Sequence, residues 1–132
     1  MDKNSILNEL NFFIKNLKND IVIGFGSAMV LRDIKDTTSD IDVYPKCLQT
    51  LWKLLEALTH EPRLPTRWEH GHLIVELSEN IDFHVDLLDD LTYDDINGYN
   101  VMCVSTISDY KSRWARDKDV QDILLIKNYL TK

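Results

Sequence analysis

The run Asp40-Ile41-Asp42-Val43-Tyr44 alternates with a period of two and is closed by Pro45. That is the period of a strand, because successive side chains leave a pleated backbone on opposite faces. The pattern predicts a half-buried strand over 40–44, with Ile41 and Val43 towards a core and Asp40 and Asp42 sharing the other face. Residues two apart on a strand lie roughly 6–7 Å apart at Cα. Pro45 has no N–H to give to a ladder and ends the strand. The acid pair admits two readings. It is a solvated strand edge whose charge discourages pairing with other chains, or it is a grip for Mg²⁺, a hard cation that prefers oxygen ligands and phosphate co-ligands.

Around this strand the hydrophobic pattern lays out one small domain. Apolar residues at helical spacing over 6–17 predict a first amphipathic helix, and Ile21-Val22-Ile23 reads as a short buried strand. Gly24-Phe25-Gly26-Ser27 is a turn, and a short helix begins at Ala28. A helix is expected over 48–58, and alternation over 72–77 and 81–88 suits a hairpin turning at Glu79-Asn80. One more strand is expected over 101–104, then helix over 105–132 broken near Arg116-Asp117. The expected class is α/β (α+β), a mixed sheet flanked by helices. With 132 residues, four glycines, three prolines and no repeat, the whole of 1–132 reads as a single domain.

The turn and a later strand add chemistry to the acid pair. Glycines between a buried strand and a helix start allow close approach of a ligand, and free N–H groups there favour an anion such as phosphate. Ser27 would add a hydroxyl donor and double as helix N-cap; the plain alternative is a tight turn with a capping serine. In Ile81-Asp82-Phe83-His84-Val85-Asp86-Leu87-Leu88, Phe83, Val85 and Leu87 are expected to face the core. Asp82, His84 and Asp86 then share the other face, where they are either a third carboxylate for the acid site or an ordinary solvent face. His70, His72 and His84 are candidate metal ligands, though surface histidines at a hairpin are the commoner case. Trp52 is expected in the core, and Lys53, Arg63 and Arg67 are the candidates for a basic rim.

A formal net charge of −7 sets limits on partners. It repels polyanions at long range, which argues against general duplex DNA binding and against anionic membranes, but not against a small anion held with a divalent ion. Cys47 and Cys103 fit neither a zinc spacing nor a disulfide framework and are read as reduced. No signal-peptide pattern or apolar run of membrane-spanning length is present, so a cytoplasmic location is expected.

Gly26-Ser27, Thr38-Ser39-Asp40-Ile41-Asp42-Val43 and Val85-Asp86-Leu87-Leu88 together resemble the nucleotidyltransferase superfamily typified by DNA polymerase beta. They look most like the small bacterial and phage members, including aminoglycoside-, lincosamide-, abortive-infection and toxin–antitoxin types. Lys111 and Arg116-Asp117-Lys118-Asp119-Val120-Gln121-Asp122-Ile123 extend the likeness, which runs from about Ile21 to Leu130. The resemblance implies an ATP-type nucleoside triphosphate as substrate, two Mg²⁺ ions, and transfer of the nucleoside monophosphate to a hydroxyl on a small molecule, a protein or an RNA end. It implies Asp40, Asp42 and Asp86 as metal-binding catalytic acids, with Gly26 and Ser27 cradling phosphate. Lys118 would neutralise phosphate charge, unless it pairs with Asp122 one turn on. Phe25 stands between the glycines where relatives carry glycine pairs, and Asp89 and Asp90 crowd the position of the third acid. The alternative is a catalytically quiet member of the fold that binds a protein partner, antitoxin-like or host-directed.

Overall fold

The computed structural model describes residues 1–59 and 64–131; Arg63, a candidate for the basic rim, lies outside them. Asp2 opens the first helix, α1 (Lys3–Phe13), by accepting the Ser5 N–H at 2.9 Å. Its buried stripe is Ile6 and Leu10, continued by Ile14 beyond its end. After a 3₁₀ turn (Lys15–Leu17), β1 (Ile21–Gly24) is buried along its whole length. It passes directly into α2 (Phe25–Leu31), so the helix begins three residues earlier than Ala28, without an intervening loop. Next come β2 (Ile41–Pro45), α3 (Leu48–Thr59), β3 (Thr66–Glu69), β4 (His72–Ser78) and β5 (Ile81–Val85). The chain then forms β6 (Tyr93–Ile96), β7 (Tyr99–Met102), α4 (Val104–Trp114) and α5 (Asp117–Leu130).

Among the described residues, seven strands form one sheet in the order β3-β4-β5-β2-β1-β7-β6. It is mixed: β1 pairs antiparallel to β2 and parallel to β7, while β2 and β5 run parallel. Helix α2 packs on β1, β2 and β7, α3 on β2, and α4 against α5. The result is the α+β architecture expected, with helices flanking a mixed sheet.

Register decides which side chains share a face. Ile23, Val43 and Phe83 are aligned across β1, β2 and β5 and are fully or almost fully buried. The residues between them face the other way. Gly24 pairs with Asp42, Asp42 with Asp82, and Glu76 with Asp82, while His84 pairs with Ile74 and Arg67 also with Ile74. One sheet face therefore carries Asp42, Asp82, His84, Glu76 and Arg67 across β2, β5, β4 and β3. The polar face of β5 is closed in: Asp82 and His84 are each 7% exposed, whereas Leu87, expected inside, is 40% exposed. Trp52 also departs from expectation, lying on the outer surface of α3 at 68% exposure.

Candidate active site

The acids meet where β2 begins. Asp40, just before the strand, joins Asp42 and Asp82 in a trio whose carboxylate oxygens lie within 4.8 Å of one another. Parity brings the first two to one face, and the parallel β2–β5 register brings the third beside them. Burial, then repulsion from Asp42 and Asp82, pushes the Asp40 carboxyl above its usual range. Asp86, the third acid implied by the resemblance, stands outside this trio. Strand β5 ends at Val85, so Asp86 leaves the register beyond the strand, where its side chain is 40% exposed. The sequence leaves Asp82 as either a third carboxylate or an ordinary solvent-face residue; the β2–β5 register sets it beside Asp42.

A pair of imidazoles runs from Asp42 towards Asp86. His84 Nε2 lies 2.8 Å from Asp42 Oδ1, His72 Nε2 lies 2.8 Å from His84 Nδ1, and His72 Nδ1 lies 4.0 Å from Asp86 Oδ2. With both rings neutral, protons on the two Nε2 atoms satisfy both short contacts: His72 donates to His84, and His84 donates to Asp42. Burial and the neighbouring His84 keep His72 below its ordinary pKa, in keeping with that state. His84 also stacks on Tyr44, with ring centroids 4.5 Å apart. The histidines are thus spacers between acids; among the described residues they enter no group with metal-ligand spacing.

The glycine turn is a junction of two elements. Ser27 is fully buried and does not cap α2, whose N-cap is Gly24. Its hydroxyl donates to the Gly24 carbonyl at 2.8 Å and accepts the Asp42 N–H at 3.2 Å. Gly26 has little room for a side chain, since a Cβ there would meet Thr38 Oγ1 at 2.9 Å. Phe25 takes the left-handed backbone, with φ 45°, which a glycine adopts without strain. In compensation its ring is buried against Tyr44, Tyr110 and Trp114, with centroids 5.5, 5.9 and 4.8 Å away. That packing explains how phenylalanine occupies the position.

These parts surround a cleft of about 660 Å³, lined by the trio, Gly26, His72, His84 and Asp86 on one side and by Lys35, Trp114, Arg116 and Lys118 on another. Lys118 does not pair with Asp122 one turn on. The Asp122 partners are Lys35 at 3.1 Å and Lys111 at 2.9 Å. Lys111, buried between α4 and α5, also reaches Asp119 at 3.4 Å. Burial would raise the Asp119 carboxyl, but hydrogen bonds from Arg116 and the Lys111 charge hold it below its usual range. Lys53, from the proposed basic rim, pairs with Asp20 at 2.9 Å, and Arg67 turns into the cleft against acids.

The same fold occurs in the crystal structure of the Megavirus polyadenylate synthase, with a TM-score of 0.54 and 19% identity over 96% of this chain. The match covers 31% of that chain, so the present protein spans less than a third of its length. No protein-family model and no curated protein matches the sequence. What the chain shares with that structure is the fold, a mixed seven-stranded sheet flanked by helices. No helix among the described residues is long and apolar enough to cross a membrane.

Proposed function

We propose that the protein is a Mg²⁺-dependent nucleotidyltransferase that moves a nucleoside monophosphate from a nucleoside triphosphate to a hydroxyl acceptor, with 1–132 acting as one catalytic domain. The observation that carries this reading is the Asp40-Asp42-Asp82 trio, set in the cleft of a nucleotidyltransferase-like fold. The donor set fits the ion: three carboxylates and no soft ligand suit a hard divalent cation. Bound there, divalent ions would supply positive charge to the triphosphate and to the attacking hydroxyl.

The chain's own residues would do the rest. Asp40, Asp42 and Asp82 hold the cations, and the Ser27 hydroxyl keeps the Asp42 backbone in place from behind. Gly26, with Ser27 beneath it, leaves the cleft wall bare for a phosphate, and Lys118 faces the same space with positive charge. Asp86 lines the same cleft, and its partly exposed carboxylate would take up the proton that the acceptor hydroxyl releases. The hydroxyl oxygen then attacks the α-phosphorus, the bond to the bridging oxygen of the β-phosphate breaks, and pyrophosphate leaves.

Incubation with each α-labelled nucleoside triphosphate and Mg²⁺, in the presence of cell extract, tests the reading. Label transfer with pyrophosphate release is expected from the wild type and not from Asp42→Asn. A folded wild type that transfers no label from any nucleotide would move the protein to the quiet, partner-binding alternative.

A further inference from the structure

Asp82 already has a cation. Arg67, from the edge strand β3, donates from its two terminal nitrogens to both Asp82 oxygens, at 3.2 and 2.7 Å. The same guanidinium also holds Glu69 Oε2 at 2.7 Å and Glu76 Oε1 at 3.1 Å. Asp82 is almost fully buried, while the Arg67 side chain remains 37% exposed. Of the pair, the arginine is the more exposed member.

A fork-on-carboxylate contact neutralises the acceptor and occupies its lone pairs. Asp82 cannot offer the same oxygens at full charge to a divalent ion and to Arg67. The surroundings make an exchange between them cheap. On leaving Asp82, Arg67 keeps Glu69 and Glu76, so its charge stays paired. On losing Arg67, Asp82 needs a replacement cation, because a buried carboxylate left alone is costly.

From this geometry we propose that Arg67 is the resident counter-cation of the acid trio and competes with the divalent ion for Asp82. The proposal rests on the metal-binding reading given above. Arg67 is then a positioning residue: it holds Asp82 ready in the metal-free protein and sets how much divalent ion is needed to load the site.

Mn²⁺ binding followed by electron paramagnetic resonance tests this without any assay of activity. Arg67→Gln should bind Mn²⁺ roughly threefold or more tightly than the wild type, the size expected for removing one partly exposed competing charge. Arg67→Lys should stay near the wild type. Lys53→Gln, which removes a distant cation and changes the net charge equally, should also stay near it. In the wild type, Mg²⁺ should shift one arginine Nε–H resonance, assigned by its absence from Arg67→Lys; this measurement stands even where Arg67→Gln fails to fold. An unchanged or weaker Mn²⁺ affinity in folded Arg67→Gln, or an arginine resonance unmoved by saturating Mg²⁺, overturns the role of Arg67 and leaves the metal site standing. No Mn²⁺ binding by the wild type or by Arg67→Gln removes the metal reading itself, and the proposal with it.

Discussion

The Ser27 hydroxyl accepts the backbone N–H of Asp42 while donating to the Gly24 carbonyl. One buried side chain thus ties the start of α2 to the strand that carries the acids. Ser27→Ala leaves the Asp42 N–H without this acceptor, which should cost about 2 kcal/mol. For a domain of this size that lowers Tm by roughly 5–10 °C. Thermal unfolding followed by circular dichroism reads the effect, and a variant that melts with the wild type would show the contact to be dispensable.

The carboxylates can be ranked. Asp42→Asn keeps its shape and can still accept from His84, so the fold should survive while nucleotidyl transfer falls by about 100-fold or more. Asp82→Asn should weaken Mn²⁺ binding more than Asp86→Asn does, because only Asp82 joins the trio. A larger loss at Asp86 would return the third ligand to the position implied by the sequence resemblance.

How far the sequence carried this assignment depended on the range of the contacts. Period-two alternation found Asp40 and Asp42 and their shared face, and helical spacing found α3 and the break between α4 and α5. It did not reveal β3 or β6, which are four-residue edge strands. Their signals were the two-residue turns His70-Gly71 and Asn97-Gly98, all four residues with positive φ; Asn-Gly between short runs is a strong hairpin mark. The third carboxylate of the trio was out of reach for a different reason. Asp82 and Asp86 have the same parity on β5, so alternation cannot separate them. Only the register against β2, set by pairing between residues some forty positions apart, puts Asp82 beside Asp42. Arg67 reached the site the same way, through a strand that local pattern did not disclose.

Asp40 gives the metal-free protein a pH dependence. Its folded pKa is raised by burial and by the neighbouring acids. At acid pH it is protonated in both states and costs nothing. As pH rises through the unfolded value, about 4, and on through the folded one, ionisation favours the unfolded chain and stability falls. Asp40→Asn in chelator should therefore raise stability near neutral pH by up to about 1 kcal/mol, discounted for partial exposure, and the gain should vanish in acid. Denaturant melts of both proteins across pH check the sign.

Nucleotide affinity should depend on the divalent ion. An acidic trio repels a triphosphate until a cation bridges the two. Calorimetric titration with a nucleoside triphosphate should show binding in Mg²⁺ and a loss of about tenfold or more in chelator. Equal affinity in both buffers would place the nucleotide away from the trio.

The walls of the cleft run from Phe25 at the start of α2 to Asp122 in α5. Residues from both halves of the chain are needed to enclose it, so no contiguous fragment carries a smaller version of the site. A ligand held there is therefore coupled to complete unfolding rather than to the opening of one loop. Its binding energy should appear in the slowest-exchanging amides of the central strands as strongly as in those beside the ligand. Hydrogen exchange at Ile23 and Val43, far inside the sheet, would in this way report an occupied cleft that neither residue touches.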